Sequence, residues 1–250
     1  GIFDHPKYVG LIAEIPWLSN QTRVTFKRCG EGAPTDLKNY QRLGGYEGLK
    51  NALGLSSQAI VDEIKASGLR GRGGAAFPTG IKWQTVLDTD SDQKYIVCNA
   101  DEGDSGTFAD RLLMEGDPYQ LIEGMTIAGV AVGAIQGYIY LRSEYPRAQQ
   151  MLEQAIDAAH AAGLLGQNIL ESTCSFDLEV RMGAGSYICG EETALLNSLE
   201  GKRGVVRAKP QDSLAQKSIA KCACFAMSTV SSKTTIPPCP NIPPASANAS

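Results

Sequence analysis

Three short apolar runs set the frame for this chain: KYIVC at 94–98, YIYL at 138–141 and FDLEVR at 176–181. Runs this short and this rich in β-branched and aromatic residues read as buried strands. Helical patterns separate them. Asp117-Pro118 opens one that reaches about residue 135, with Asp as cap and Pro at the first helical position, where its missing N–H costs nothing. A second covers 146–162 and closes at Gly163; a third follows the last run, covers 191–199 and closes at Gly201. Strand–helix alternation of these lengths predicts parallel βαβ units with right-handed crossovers. The expected fold class is α/β, layered, with a mainly parallel sheet.

Bulk composition excludes several alternatives. At 250 residues, 43% hydrophobic and 20% charged, the chain reads as ordinary globular protein with room for a sizeable core. A formal charge of −4 argues against non-specific nucleic-acid binding. The most apolar stretch, 121-LIEGMTIAGVAVGAIQGYIYL-141, carries Glu123 and four glycines and changes pattern near Gly137, which predicts a buried helix followed by a strand rather than a membrane span. No basic segment followed by an apolar one marks a secretory signal at the start, and a first residue Gly1 fits a fragment or a processed form. The seven cysteines include no C-x-x-C pair, which suits reduced thiols in a cytosolic protein; no metal ligands are expected.

Residues 1–45 read as a lead-in with a short strand at 23–27. Helical patterns follow at 45–53 and 57–66, the second capped by Ser56 or Ser57 and closed at Gly68. The α/β domain is expected over 46–210. Residues 211–250 contain no glycine and five of the twelve prolines, including PPCPNIPP at 237–244, and read as an irregular or disordered tail.

Three clusters carry candidate chemistry. The first, 68-GLRGRGGAAFPTGIKW-83, loosely matches a dinucleotide fingerprint at Gly71, Gly73 and Ala76, but it follows a helix instead of a strand, and no Gly-Lys-Ser/Thr makes it a Walker loop. Its backbone amides with Arg70, Arg72 and Lys82 suit an anion such as a phosphate; a tight connection with solvated basic residues has the same sequence. The second, 99-NADEGD-104, puts three carboxylates just past the first strand. Divalent-metal binding, hydrogen bonding to ring edges or ribose hydroxyls, and a solvated turn-rich loop are all open. The third, 183-GAGSYICGEET-193, is a glycine loop opening a helix, where amides and the dipole attract anions and where Glu191 and Glu192 are favourable first-turn charges. Cys189 stands near that helix start, yet with only His5 and His160 in the chain, Cys–His or Ser–His–Asp catalysis has little support. The second and third clusters follow strands, where open parallel sheets bind ligands.

In this order and spacing, 68–83, 97-VCNADEGDSGTFADR-111 and 183-GAGSYICGEETALLNSLEGKRGVVRAKP-210 resemble the FMN- and NADH-binding 51 kDa-type subunit of respiratory complex I and its relatives in NAD-reducing hydrogenases and NAD-dependent formate dehydrogenases. The NADEGDSGTFADR loop, with 115-EGDPYQLIEGMTIAG-129, looks most like the formate dehydrogenase β subunit. The resemblance implies a Rossmann-like flavin-binding domain that exchanges hydride between NAD(H) and FMN and passes electrons to iron–sulfur centres of partner subunits, in the cytoplasm or at its membrane face, with no nucleic acid and no membrane span of its own. Gly71, Arg72, Gly73, Gly74 and Lys82 would line the flavin phosphate and ribityl region. Asn99, Asp101 and Glu102 would hydrogen-bond the flavin, and Tyr187, Gly190, Glu191 and Glu192 would complete its pocket. Phe77 would stack near the adenine of NADH, Asp104 or Glu192 would meet ribose or nicotinamide, and Lys209 would meet the phosphates. Glu102 and Glu192 are the implied catalytic pair: carboxylates beside the ring system disfavour added negative charge on it and hold its potential near that of NADH.

The chain departs from the family pattern at Thr85, where complex I members often carry an aromatic residue, and at Asp104, shorter than the Glu found there. After Pro210 the family's proline-rich turn, Asn-Asn motif and four-cysteine [4Fe–4S] domain are not visible, and Cys222, Cys224 and Cys239 do not supply the C-x-x-C-x-x-C run of such a cluster. Foreign or frameshifted sequence is expected there, and with it a second reading: a flavin- or nucleotide-binding fragment without turnover.

Overall fold

The computed structural model describes residues 5–6, 8–11, 14–72, 75–207 and 226–231. In chain order the elements are α1 (Pro16–Ser19), α2 (Leu37–Arg42), α3 (Glu47–Leu53), α4 (Ser57–Ala66), α5 (Thr79–Leu87), β1 (Lys94–Ala100), α6 (Ala109–Gly116), α7 (Pro118–Val132), β2 (Gln136–Leu141), α8 (Pro146–Ala161), β3 (Asp177–Met182), α9 (Glu192–Leu199) and β4 (Ala226–Ser231). The sheet order is β3-β2-β1-β4. β1, β2 and β3 are parallel, as the alternation predicts, and β4 lies antiparallel beside β1.

Alternation along the strands divides the core into two layers. Ile96, Cys98, Ala100, Ile139 and Leu141 face the larger one, built with α3 to α8; Tyr95, Val97, Tyr138 and Tyr140 face a smaller one with Leu195, Leu196 and Leu199 of α9. The helix ends follow the expected punctuation. Ser56 Oγ accepts from Ala59 N, and Gly163 and Gly201 take the left-handed conformation just past α8 and α9. The apolar 121–141 stretch is α7 followed by β2, and no described helix is long and apolar enough to cross a membrane.

Glu123, the charge inside that stretch, is buried for a structural reason. Its carboxylate accepts from Tyr40 Oη (2.6 Å), Tyr46 N (2.8 Å) and Leu49 N (3.1 Å), so a side chain on α7 caps the N-terminus of α3. Residues before 46 thus join the same core: Tyr40 is buried, and Phe26, Cys29 and Leu37 pack against it. Glu123→Gln keeps the shape but offers one acceptor oxygen where two serve three donors. It is expected to lower unfolding free energy by about 1–2 kcal/mol in denaturant titrations.

Two points differ from the expectations. Residues 23–27 are not a strand: they run into turns, with Cys29 N on Phe26 O and Arg23 Nη1 on Cys29 O at 3.3 Å, because Phe26 turns inward to the core. Helices α5 and α6 went unforeseen. Within 211–250 the described residues are 226–231; they form β4 and pair along the side of β1 away from β2.

Candidate functional site

The three parallel strands end at one level. Ala100 pairs with Leu141, and Leu141 with Met182, so the segments that follow leave the sheet side by side. Those segments are 101–106, 142–145 and 183–190, at the carboxyl edge where such sheets bind ligands.

The acidic cluster does not gather into one site. Glu102 is buried, and its carboxylate accepts from Asp110 N (3.0 Å), Arg111 N (3.2 Å) and Tyr145 Oη (3.1 Å). It is the anion at the start of α6, where the helix leaves donors unsatisfied. Both of its oxygens thus already accept bonds within the fold, and the flavin contact and catalytic role implied for it stay a proposal. Asp104 is exposed and accepts from Tyr187 Oη at 3.3 Å. Asp101 takes neither course. Its Oδ2 is buried with no hydrogen-bond partner, and burial, opposed by the Arg142 charge and reinforced by Glu144, pushes its carboxyl up to about 6. Burial, with Glu102 beside it, likewise raises Asp110, to about 7. Among the described residues no three His, Cys, Asp or Glu side chains are grouped to hold a metal ion.

The 183–192 turn meets this cluster at two points. Asn99 Nδ2 donates to Gly190 O at 2.8 Å and its Oδ1 accepts from Asp101 N at 3.2 Å, so one amide ties the end of β1 to the turn. The Tyr187 ring lies on Gly103, where a Cβ would come within 2.7 Å of it, and the residue is 72% exposed. Glu191 is the N-cap of α9: its Oε2 accepts from Thr193 N, Ala194 N and Thr193 Oγ1 at 2.9, 3.0 and 2.6 Å. Glu192 is half-buried in the first turn. Cys189 is buried, with Gly204 packed on its sulfur, which removes it as a nucleophile.

The glycine-rich loop is closed on itself. Gly71 N bonds Phe77 O and Thr79 N bonds Leu69 O, each at 2.9 Å, making a neck from which α5 departs. Arg70 Nη1 donates to Ala76 O (3.1 Å) and Arg72 Nη1 to Arg70 O (2.9 Å), so both arginines brace the loop. Lys82 Nζ sits 5.4 Å from the centre of the Phe77 ring, which is 43% exposed. Gly73, Gly74 and Lys209 lie outside the described residues, as do Cys222, Cys224 and Cys239. His160 bonds Asp177 at 2.8 Å, at the opposite end of β3.

Sequence reasoning missed the segment after β2. Arg142 donates to the Glu102 carbonyl, binds Glu144 through Nε and Nη2 at 3.2 and 3.1 Å, and lies 5.0 Å over the Tyr145 ring. The hydrogen-bonded Arg142 guanidinium holds the Glu144 carboxyl down at about 2. An Arg-x-Glu-Tyr run directly after a buried strand was the available signal.

Three parallel strands that send an acidic and a glycine-rich segment off one carboxyl edge have the layout of nucleotide-binding α/β proteins. The family model described as the Nuo51 FMN-binding domain matches residues 64–236, and the chain belongs to that family. It is 52% identical over 190 residues to the NADP-reducing hydrogenase subunit HndC of Solidesulfovibrio fructosivorans, covering 76% of this chain and 39% of that protein. It is 45% identical over 197 residues to the mitochondrial NADH-ubiquinone oxidoreductase 51 kDa subunit of Neurospora crassa, covering 77% and 40%. Among solved structures, an air-oxidized NAD+-reducing [NiFe]-hydrogenase superposes with a TM-score of 0.56 at 33% identity, over 83% of this chain and 30% of that one. The H2-reduced state of such a hydrogenase gives a TM-score of 0.54 at 39% identity, over 66% and 28%. The chain spans about two fifths of the length of these curated relatives.

Proposed function

We propose that this chain is the FMN-dependent NADH dehydrogenase component of a multisubunit oxidoreductase, a diaphorase exchanging hydride with NAD(H) and passing electrons to iron–sulfur centres of partner subunits in the cytoplasm or at its membrane face. The observation that carries the reading is Asp101 Oδ2, a buried carboxylate oxygen without a partner at the carboxyl edge of the sheet. A buried acceptor left open there is suited to a ligand donor. Gly190 fits the same purpose: a Cβ on it would meet Asp101 O at an ordinary 3.4 Å, so the fold does not require glycine there, whereas a closely approaching ligand does.

When bound, FMN supplies hydride acceptance and one-electron delivery, and the chain's part is placement. Asp101 would accept a flavin hydrogen bond, Asn99 would fix the distance between Asp101 and Gly190, and Glu191 and Glu192 would shape the pocket wall. Gly71, Gly73, Gly74, Arg72 and Lys82 remain the proposed phosphate and ribityl contacts. Phe77 and Tyr187 offer exposed rings to the dinucleotide, with Asp104 and Lys209 at its ribose and phosphates. The finer assignment, a formate dehydrogenase β subunit, is supported by the likeness of the NADEGDSGTFADR loop and of 115-EGDPYQLIEGMTIAG-129.

Reconstitution with FMN tests the reading: the protein is expected to retain flavin absorbance through gel filtration and to reduce ferricyanide with NADH. Flavin retained without turnover favours the fragment reading, and colourless folded protein overturns both. Gly190→Ala is expected to leave the melting temperature nearly unchanged while weakening FMN binding by about tenfold or more, followed by flavin fluorescence quenching.

A further inference from the structure

Resting on the flavin reading, we propose that Arg142 is the positioning residue of the carboxyl-edge site: gripping the Glu102 carbonyl from the end of β2, it sets how the 99–102 segment presents Asp101 toward Gly190. The grip is made by a fork. One face of the guanidinium lies over Tyr145, Nη1 holds the Glu102 carbonyl, and Nε and Nη2 are fixed by both oxygens of Glu144. Tyr145 closes the circuit by donating to Glu102 Oε2, which caps α6. The main chain at 102 is therefore clamped twice, at its carbonyl and through its side chain, both times from the 142–145 segment.

Asp101 is the residue this clamp aims. Asn99 fixes its amide, Arg142 fixes the next carbonyl, and its open Oδ2 lies 3.8 Å from where a Cβ on Gly190 would stand. The charges facing it come from the β2 end, Arg142 in its favour and Glu144 against it; Tyr140 on β2 also feels its charge. From the 183–190 turn it meets Gly190, which has no side chain to titrate. Arg142 is the cation among these groups, and it favours the ionised, hydrogen-bond-accepting form of Asp101. Lysine reproduces the charge but not the planar fork that holds a carbonyl and a carboxylate together.

The test uses the full 250-residue chain. FMN binding is titrated by fluorescence quenching between about pH 5 and 8, and Asp101 is titrated in flavin-free protein by carboxyl carbon NMR. Arg142→Gln is expected to weaken FMN binding by about tenfold at pH 7. It is also expected to move the midpoint below which binding weakens, and the Asp101 titration, up by about one pH unit. Arg142→Lys is expected to restore both midpoints but not the affinity. Wild-type affinity and midpoints in Arg142→Gln overturn the proposal, as does a lowered melting temperature with both midpoints in place, which marks a merely structural role. If Arg142→Gln does not fold, Arg142→Lys decides: wild-type affinity in it removes the fork. If the unmutated protein binds no FMN at any pH, the flavin reading falls, and the Asp101 titration in flavin-free protein alone judges the clamp.

Discussion

Asp101→Asn is expected to weaken FMN binding by about tenfold to a hundredfold at pH 7 while making the flavin-free protein more stable. Both effects have one cause. A charged acceptor bonded to a ligand donor contributes about 1.5–3 kcal/mol, and the amide forfeits most of it. Without ligand, the same carboxylate is half-buried with one oxygen unpaired, so neutralising it removes a desolvation penalty of roughly 1 kcal/mol, reduced from the fully buried case because solvent still reaches the residue. The pH dependence follows with a definite sign. Folding raises the Asp101 pKa from 3.8 to about 6, so between these values the folded chain holds a proton that the unfolded chain has lost. Stability of the flavin-free protein therefore falls as pH rises through that window, and the advantage of Asp101→Asn over the unmutated protein grows across it. Asp110, raised to about 7, contributes in the same direction in both proteins and cancels in the difference. Paired thermal melts from pH 4 to 7 measure that difference. An Asp101→Asn protein less stable than the parent throughout would show that the open oxygen carries no penalty.

Glu102→Ala has the opposite profile, a large loss of stability. The substitution leaves Asp110 N, Arg111 N and Tyr145 Oη without their acceptor and strips the anion from the start of α6. Three donors and a helix terminus together are worth about 3–4 kcal/mol, a large share of the stability of a domain. Glu102→Gln keeps one acceptor oxygen and is expected to recover about half of the loss. Chemical denaturation with circular dichroism reads both values. If Glu102 acts mainly by tuning the flavin, Glu102→Ala leaves stability within about 1 kcal/mol of the parent and changes only the midpoint potential.

The strands were legible because β-branched and aromatic runs of strand length have few other uses, and their ends agree to within a residue or two with those expected. Helices α7, α8 and α9 were legible through Pro at one end or Gly at the other. α5 was hidden because Thr79–Leu87 begins directly behind Phe77-Pro78, in a stretch whose glycines argue for loop. α6 was hidden for a different reason. No residue at its own start caps it; the anion comes from Glu102, seven positions before Ala109, and only the path of the loop brings it back. The same loop path explains the site. Residue types at the strand ends announced ligand chemistry, but the directions of Asp101, Glu102 and Asp104 depend on how the backbone turns after the sheet's alternation ends. Adjacent carboxylates therefore took three different assignments. Arg142 passed unnoticed because a lone basic residue after an apolar strand ordinarily reads as its solvated end.

The shared register of the parallel strands also separates what can be altered from what cannot. With the ligand-facing segments at one edge, the connections at the other, 88–93, 133–135 and 174–176, are free of the site's geometry. Asp88, Asp90 and Asp92 are exposed there. A reporter peptide or a new chain start introduced within 88–92 should leave the opposite edge as it is, so one end of the molecule can serve as a handle while the other keeps its chemistry.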